Sequence, residues 1–425
     1  MLNILRKVTP KFLLSWYHFL WVLLGAFVFR FPAYGMVVVG VTGTNGKTTT
    51  IDMISRIFNE AGFNTSSMSS IRFQIKDKEW KNTMKMTMPG RLVIQKFLRQ
   101  AKDAGCEYVF LEVTSEGILQ HRHRFIPFHT AVFTNLSPEH IERHGSFENY
   151  KKTKGKLFAL AKDVHVINTD DEHAEYFLSF PAKQKYLYGS NRETPKSSLQ
   201  HSSRVFGQDV KEDIKGLHFI VEDVPFQLKL LGTFNVSNAL AAIAVARAEG
   251  ISLNVCRKAL EEMPVVPGRM EKIISSPFLV VVDYAFTPAA LEKVYKTLKP
   301  VSGKLLCVLG AAGGGRDALK RPVLGMIASE NCDIIIITDE DPYEENPEKI
   351  MDEVIAGTKG KAEKIVDRRQ AIAKALSLAK SGDTIVITGK GSEDSMAVKG
   401  GKKIPWDDRK IVREEWTKLK ERDTF

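Results

Sequence analysis

The residues with the plainest chemistry are Gly43, Thr44, Asn45, Gly46, Lys47, Thr48 and Thr49, set between an apolar run, Met36 to Val41, and an amphipathic pattern, Ile51 to Asn59. The apolar run predicts a strand and the amphipathic pattern a helix, so the glycine-rich turn opens a helix. Main-chain N–H groups at such a start point at phosphate oxygens, Lys47 reaches the outer phosphates, and the Thr48 hydroxyl can bind Mg2+. ATP is the expected nucleotide. The usual loop has a glycine five residues before Gly46, where this chain has Val41, and a bare Gly-Lys-Thr also arises in loops by chance. The flanking strand and helix favour the phosphate-loop reading.

Two more strand ends carry candidate ligands. Glu112 closes a run from Tyr108 and leads into Val113-Thr114-Ser115-Glu116-Gly117. Thr134-Asn135-Leu136-Ser137-Pro138-Glu139-His140 follows the next run, Ala131 to Phe133. A carboxylate and an imidazole at neighbouring strand ends, on the edge that carries the phosphate loop, suit Mg2+ between a nucleotide and a second substrate. Taken alone, His140 also reads as a hydrogen-bonded loop residue.

The elements that must position these groups alternate between apolar β-rich runs and helical patterns. Val164 to Ile167, Phe278 to Val282, Leu305 to Leu309, Ile334 to Ile337 and Thr384 to Thr388 read as buried strands of parallel α/β units. Open sheets of this kind place ligands at the carboxyl ends of their strands. A stiff join at Pro264-Val-Val-Pro267-Gly268 marks a change of region. The expected organisation is a hydrophobic segment over 1–35, an α/β ATP-binding domain with a parallel sheet over 36–266, and a Rossmann-like α/β domain over 267–425.

Composition sets the outer bounds: 425 residues, 44% hydrophobic and 26% charged, suit a globular protein of two or three domains. The net charge of +11 is spread along the chain without an aromatic-plus-basic signature, so an anionic small substrate is expected and nucleic acid is not. The four cysteines form no Cys-x-x-Cys pair, and three lie in or beside apolar runs where cysteine behaves as a small hydrophobe. A reducing cytosol fits, and no metal–thiolate site is implied.

The first 35 residues carry Arg6, Lys7, Lys11 and Arg30, no acidic residue, and an apolar run from Phe12 to Phe29 broken by Ser15, His18 and Gly25. The run is at the lower edge of the roughly 20 residues that span a bilayer. A span would send the rest of the chain outward, away from ATP, and no signal-peptide cleavage site follows. Two readings stay open: a helix packed on the next domain, or one lying on the inner membrane surface with Trp16, Tyr17 and Trp21 as interfacial anchors. The expected location is cytoplasmic; the packed helix is the favoured reading, and peripheral membrane contact through residues 12–29 is the alternative.

The runs Gly40 to Thr50, Glu112-Val-Thr-Ser115 with Gln120-His121-Arg122, and Phe133-Thr-Asn-Leu136 with His140 and His144-Gly145 resemble the Mur ligases. The resemblance is nearest to the branch that adds the third amino acid of the peptidoglycan stem to a UDP-muramoyl dipeptide. Leu231-Gly-Thr-Phe-Asn235-Val-Ser-Asn238, Pro267-Gly-Arg-Met-Glu271, Asp283-Tyr-Ala-Phe-Thr-Pro288, Gly313-Gly-Gly-Arg-Asp317 and Gly389-Lys-Gly-Ser-Glu393 extend it over about residues 36–415. The resemblance implies a reaction in which ATP phosphorylates the carboxylate of a UDP-muramoyl peptide and an amino acid displaces phosphate, giving an amide, ADP and phosphate. It implies that Lys47 stabilises the transferring phosphoryl group and that Thr48, Glu112 and His140 hold Mg2+. Lys154 would be carbamylated and ligate a second Mg2+, though Lys151, Lys152 and Lys156 around it also read as a solvated basic face.

By the same resemblance Asn235 and Asn238 contact adenine, Arg269 and Asp283 the nucleotide, and Thr87, Pro89, Thr114, Ser115 and Arg122 the UDP-muramoyl peptide. The acceptor amino acid falls to Arg316, Asp341, Gly389 and Glu393. From the residues alone, Asn235 and Asn238 also read as helix caps, Pro267-Gly268 as a turn and Asp283 as a strand-end cap.

Three departures bear on this expectation. The family's N-terminal domain, which grips UDP, is not matched, and the hydrophobic segment stands in its place. Phe286 replaces a histidine in Asp-Tyr-Ala-His-Thr-Pro. Glu340-Asp341-Pro342-Tyr343 replaces the Asp-Asn-Pro-Arg of enzymes that add diaminopimelate. Tyr343 cannot pair bidentately with a distal carboxylate, whereas Asp339, Glu340, Asp341, Glu344 and Glu345 suit a cation, so L-lysine or another diamino acid is expected. The acidic run also reads as a solvated loop. Alternatives are a ligase on another carboxylate, of folylpolyglutamate or cyanophycin type, a membrane-associated ATPase without ligase activity, and a nucleic-acid-stimulated ATPase.

Overall fold

A computed structural model describes residues 10–84, 86–139, 141–190, 202–213, 216–315 and 318–423. The chain forms two compact units, with a boundary in sequence at Met263–Pro264; the short segments Glu139–Arg143 and Leu230–Gly232 group with the second.

The first unit is built on an eleven-stranded sheet, ordered β11-β10-β9-β8-β7-β6-β1-β5-β2-β3-β4. Its middle is parallel: β1 (Val37–Thr42) lies between β5 (Tyr108–Glu112) and β6 (Phe128–Phe133), followed outward by β7 (Val164–Asn168), β8 (Gln184–Gly189) and β9 (Ser202–Asp213) on one side and β2 (Thr65–Met68) on the other. β1 and β5 are apolar almost throughout because helices cover both faces of a parallel sheet. Antiparallel strands finish both edges: β3 (Arg72–Ile75) and β4 (Lys78–Lys81), and β10 (Gly216–Val221) and β11 (Val224–Leu228).

The helix Lys47–Glu60 buries Ile51, Ile54, Ile57 and Phe58 on one face and packs on the helix Phe234–Ala248. The latter is alanine-rich and buried nearly all round, as an interior helix must be. The first helix among the described residues, Lys11–Val28, packs on Arg91–Asp103, with Gly25 allowing a close approach at Leu92. Packing on the body is thus one of the two sequence readings realised.

The second unit carries a six-stranded sheet ordered β12-β13-β17-β14-β15-β16. β13 (Leu279–Val282), β14 (Leu305–Leu309), β15 (Ile334–Ile337), β16 (Ala362–Lys364) and β17 (Thr384–Ile387) are parallel, and β12 (Glu271–Ile274) is antiparallel at one edge. Val280, Val282, Leu306, Val308, Ile336, Ile385 and Ile387 form its core with Ile372 and Leu376 of the helix Arg368–Leu378. β18 (Ser395–Val398) and β19 (Lys402–Pro405) form a separate hairpin. Cys307 and Cys332 are joined by a disulfide, a pairing absent from the sequence reading, which has three of the four cysteines in or beside apolar runs and a reducing cytosol. The parallel pairing of β14 with β15 brings together two residues 25 apart in sequence. Cys106 and Cys256 are buried free thiols.

Candidate active site

In the first unit, the loop after β1 is fixed by its neighbours before any ligand arrives. Thr44 N–H donates to the Asn135 carbonyl at 2.8 Å, and Asn45 N–H donates to the Asn135 side chain at 2.9 Å. Asn135 returns a bond from its amide to the Asn45 carbonyl at 3.0 Å, and Thr134 Oγ1 donates to the same carbonyl at 2.8 Å. Gly46 has φ +83°, and a Cβ there would collide with the Asn238 side-chain oxygen. A Cβ at Gly43 would collide with Thr134 Oγ1. The loop is therefore a cradle lined by main chain, the surface that suits phosphate.

Two lysines converge on this loop. Lys47 Nζ donates to the carbonyls of Gly43 at 3.1 Å and Thr44 at 2.8 Å. Lys154, on the helix Phe147–Leu160, donates to the Gly43 carbonyl at 2.7 Å and lies over the Tyr150 ring, 4.6 Å from its centroid. Lys154 is 2% exposed, so the solvated-face alternative does not describe it. Tyr150 is one turn earlier on the same face, and its hydroxyl lies 3.2 Å from Thr44 Oγ1.

Thr48 Oγ1 donates to Glu112 Oε1 at 2.8 Å and lies 2.7 Å from Ser70 Oγ, while the other carboxylate oxygen accepts the Ser70 N–H. Glu112 is 3% exposed. Thr48 and Glu112 are hard oxygen donors beside a phosphate cradle, which fits Mg2+ bound through one or two protein oxygens plus phosphates and water. Among the described residues no group of three or more His, Cys, Asp or Glu forms a metal cluster. His140 lies outside the described residues. Ser70 was not legible as part of this site, because nothing in the serine-rich stretch Ser66–Ser70 distinguishes it.

Asn235 and Asn238 lie in the first turns of Phe234–Ala248, but Thr233 holds the N-cap position and no side chain caps the helix. Asn238 instead donates to Asn235 Oδ1 at 2.9 Å and presses against Gly46, so the helix-cap reading is corrected. Thr114 caps the helix Ser115–Leu119 by accepting the Gly117 N–H at 3.1 Å, and Ser115 Oγ lies 3.1 Å from His144 Nε2. Arg122 donates to the Met88 carbonyl and, at 2.7 Å, to Gln120 Oε1. It thereby ties the segment holding Thr87 and Pro89 to the turn after the helix Ser115–Leu119. Burial and the neighbouring Arg91 lower its guanidinium to about 10.

In the second unit the ends of β13, β14, β15 and β17 carry the remaining candidates. Asp283 is buried and accepts N–H bonds from Ala285 at 2.7 Å and Met270 at 2.8 Å, which is the strand-end cap read from sequence. Burial raises its pKa, against the pull of Arg269. Arg269 stacks on Tyr284, 4.4 Å from the ring centroid, and Lys320 lies 4.9 Å from the ring centroid of Phe286. Lys390, fully buried, donates to Asp341 Oδ1 at 2.9 Å, to the Ser395 carbonyl at 2.8 Å and to Glu393. Gly389 has φ +105° and leaves room for Glu340, which is 5% exposed and has no hydrogen-bond partner for Oε2. Burial pushes Glu340 up to about 7 and Asp339 up to about 6. Glu345 pairs with the buried Arg321 at 2.8 Å, and Glu344 accepts the Gly400 N–H at 2.9 Å. The acidic run is thus largely folded into the unit, not a solvated loop. Arg316 lies outside the described residues.

Comparison with known proteins gives the family. Residues 41–246 match the Mur ligase middle domain and residues 268–391 the Mur ligase, glutamate ligase domain. A UDP-N-acetylmuramyl-tripeptide synthetase of Roseiflexus sp. (strain RS-1) is 36% identical over 92% of this chain and 80% of that protein. A UDP-N-acetylmuramoyl-L-alanyl-D-glutamate--2,6-diaminopimelate ligase of Syntrophomonas wolfei is 38% identical over the same shares. A solved diaminopimelate ligase superposes with a TM-score of 0.61 at 31% identity, over 91% of this chain and 80% of that one. The folylpolyglutamate synthase of Mycobacterium tuberculosis, with a TM-score of 0.69 and 17% identity over 87% of this chain and 92% of that one, shares the fold alone. The chain belongs to the Mur ligase family and is an ATP-dependent ligase.

Proposed function

We propose that this chain adds an amino acid, L-lysine or another diamino acid, to the free carboxylate of UDP-N-acetylmuramoyl-L-Ala-D-Glu in peptidoglycan precursor synthesis. The observation that carries this reading is the set of Lys47, Lys154, Thr48 and Glu112 around the glycine cradle at the end of β1. A carboxylate oxygen of the muramoyl peptide attacks the γ-phosphorus of ATP, and ADP leaves with the bridging oxygen. The deprotonated amine of the amino acid then attacks the acyl carbon, and phosphate leaves with the C–O electron pair. The protein contributes positioning and charge neutralisation.

In this reading the loop Gly43 to Thr49 holds the phosphates through the N–H groups of its helix start, Gly46 to Thr49, while those of Thr44 and Asn45 stay with Asn135, and Lys47 exchanges its carbonyl acceptors for the transferring phosphoryl oxygens. Asn235, Asn238, Arg269 and Asp283 serve the nucleotide. Thr48, Glu112, His140 and a carbamylated Lys154 would hold one or two Mg2+ ions, which supply charge neutralisation at the phosphates. Carbamylation of the buried Lys154 would join its nitrogen to the carbon of CO2 with release of two protons from the ammonium, giving an anion and leaving one N–H for the Gly43 carbonyl. Thr87, Pro89, Thr114, Ser115 and Arg122 hold the muramoyl peptide, and Arg316, Asp341, Gly389 and Glu393 the acceptor.

The choice of lysine rests on Tyr343, which lacks the guanidinium a distal carboxylate needs, and on Glu340. Asp341 and Glu345 already face Lys390 and Arg321, whereas Glu340 has a buried oxygen, Oε2, without a hydrogen-bond partner. The enzyme is read as cytoplasmic, with residues 12–29 in peripheral contact with a membrane; no described helix is long and apolar enough to cross one. The test is phosphate release with ATP, Mg2+ and UDP-N-acetylmuramoyl-L-Ala-D-Glu, comparing L-lysine, meso-diaminopimelate and no amino acid. Lysine-dependent release is expected. Preference for diaminopimelate would overturn the acceptor, and release independent of both would overturn the donor.

A further inference from the structure

The first helix is inside out. Its serine and histidine face the body: Ser15 Oγ lies 2.8 Å from His121 Nε2, and the buried His18 meets Arg91. Val22, Gly25 and Ala26 complete that packed face. The opposite face is exposed and apolar, with Trp16 at 61%, Leu20 at 56% and Phe27 at 72% exposure, joined by Tyr17, Trp21 and Leu24. An ordinary surface helix has the reverse arrangement. No charged residue occurs from Phe12 to Phe29, and this one helix gathers most of the largest exposed apolar side chains of the first unit.

We infer that this outward face docks on an anionic lipid surface, with the helix lying in the plane of the interface. Its 18 residues are held flat by the packed face, so the helix offers its outer side to a bilayer and does not thread through it. Tryptophan and tyrosine on that side suit the headgroup boundary. Charge selects lipid over a second copy of the chain. Arg6, Lys7 and Lys11 precede the apolar run and Arg30 follows it, with no acidic residue in the first 35. Two such flanks brought together would repel, whereas an anionic leaflet complements them. This docking gives the peripheral contact proposed for residues 12–29 a face and a lipid class, and it rests on no part of the ligase chemistry.

The experiment is flotation of the full chain with vesicles of phosphatidylcholine alone or mixed with phosphatidylglycerol, at low and high salt. On mixed vesicles at low salt the bound fraction should be about tenfold higher than on phosphatidylcholine, and salt should reduce it. The variant Trp16→Ser/Leu20→Ser/Phe27→Ser should lose flotation while keeping its phosphate release in solution. Brominated acyl chains should quench the tryptophan fluorescence of the unaltered protein. Docking is overturned by no flotation, by equal flotation on both vesicles, by flotation that the variant retains, or by an absence of quenching. A dimer in light scattering that the variant dissolves, without flotation, would assign the face to a second copy.

Discussion

The phosphate loop and the second unit's sheet edge each gather buried or half-buried lysines, and they satisfy them differently. Lys47 and Lys154 donate to the main-chain carbonyls of Gly43 and Thr44, whereas Lys390 is gripped by the carboxylates of Asp341 and Glu393. A carbonyl dipole offsets part of an ammonium's charge, so such a bond exchanges readily for phosphate. A buried ion pair does not exchange, because removing either partner strands the other charge away from water. The first arrangement is suited to binding an anion. The second organises the strand ends, since Asp341 also accepts the Ala397 N–H and joins the end of β15 to the hairpin β18–β19.

The contrast is broken most directly at Lys47. Lys47→Ala should lower amino-acid-dependent phosphate release on the order of 10³-fold while leaving the melting temperature nearly unchanged, because Lys154 still donates to the Gly43 carbonyl. Undiminished turnover would end the phosphate-loop assignment. Lys390→Met should act on stability, costing about 4 kcal/mol in urea unfolding of the second unit by stranding Asp341 and Glu393. A loss below about 1 kcal/mol would show that this pair is not structural.

Glu340 sharpens the comparison through pH. Burial holds its folded pKa near 7, above its ordinary 4.5, so the folded chain binds more protons between those values. Stability from this group is present below pH 4.5 and declines as pH rises to about 7, by up to about 3 kcal/mol. Glu340→Gln should flatten that part of a stability-versus-pH curve; an unchanged slope would place the titration elsewhere. The smallest effect is expected from Gly46→Ala, which forces a positive φ and crowds Asn238, at about 1–2 kcal/mol and roughly tenfold weaker ATP binding measured by calorimetry.

Local signals made the phosphate loop legible. A glycine-rich turn between an apolar run and an amphipathic run constrains backbone geometry within a dozen residues, and the observed β1 and Lys47–Glu60 lie where the pattern puts them. Most buried strands of both units were legible for the same reason: parallel strands covered on both faces are largely apolar. β2, β4 and β9 were not, since β2 is Thr-Ser-Ser-Met, β4 is fully exposed and β9 is exposed over much of its length, leaving no apolar run to read.

Pairing across the chain was decided by tertiary structure alone. Sequence cannot show that Asn238 presses on Gly46, that Lys154 alone among its neighbouring lysines reaches the Gly43 carbonyl, or that Asp341 closes on Lys390. Each depends on contacts between residues tens to hundreds of positions apart, fixed by strand order and helix packing. The first helix shows the division most clearly. Its composition determined an apolar helix of marginal length, and only packing against Arg91–Asp103 decided which face is buried, because the polar Ser15 and His18 found partners inside the fold.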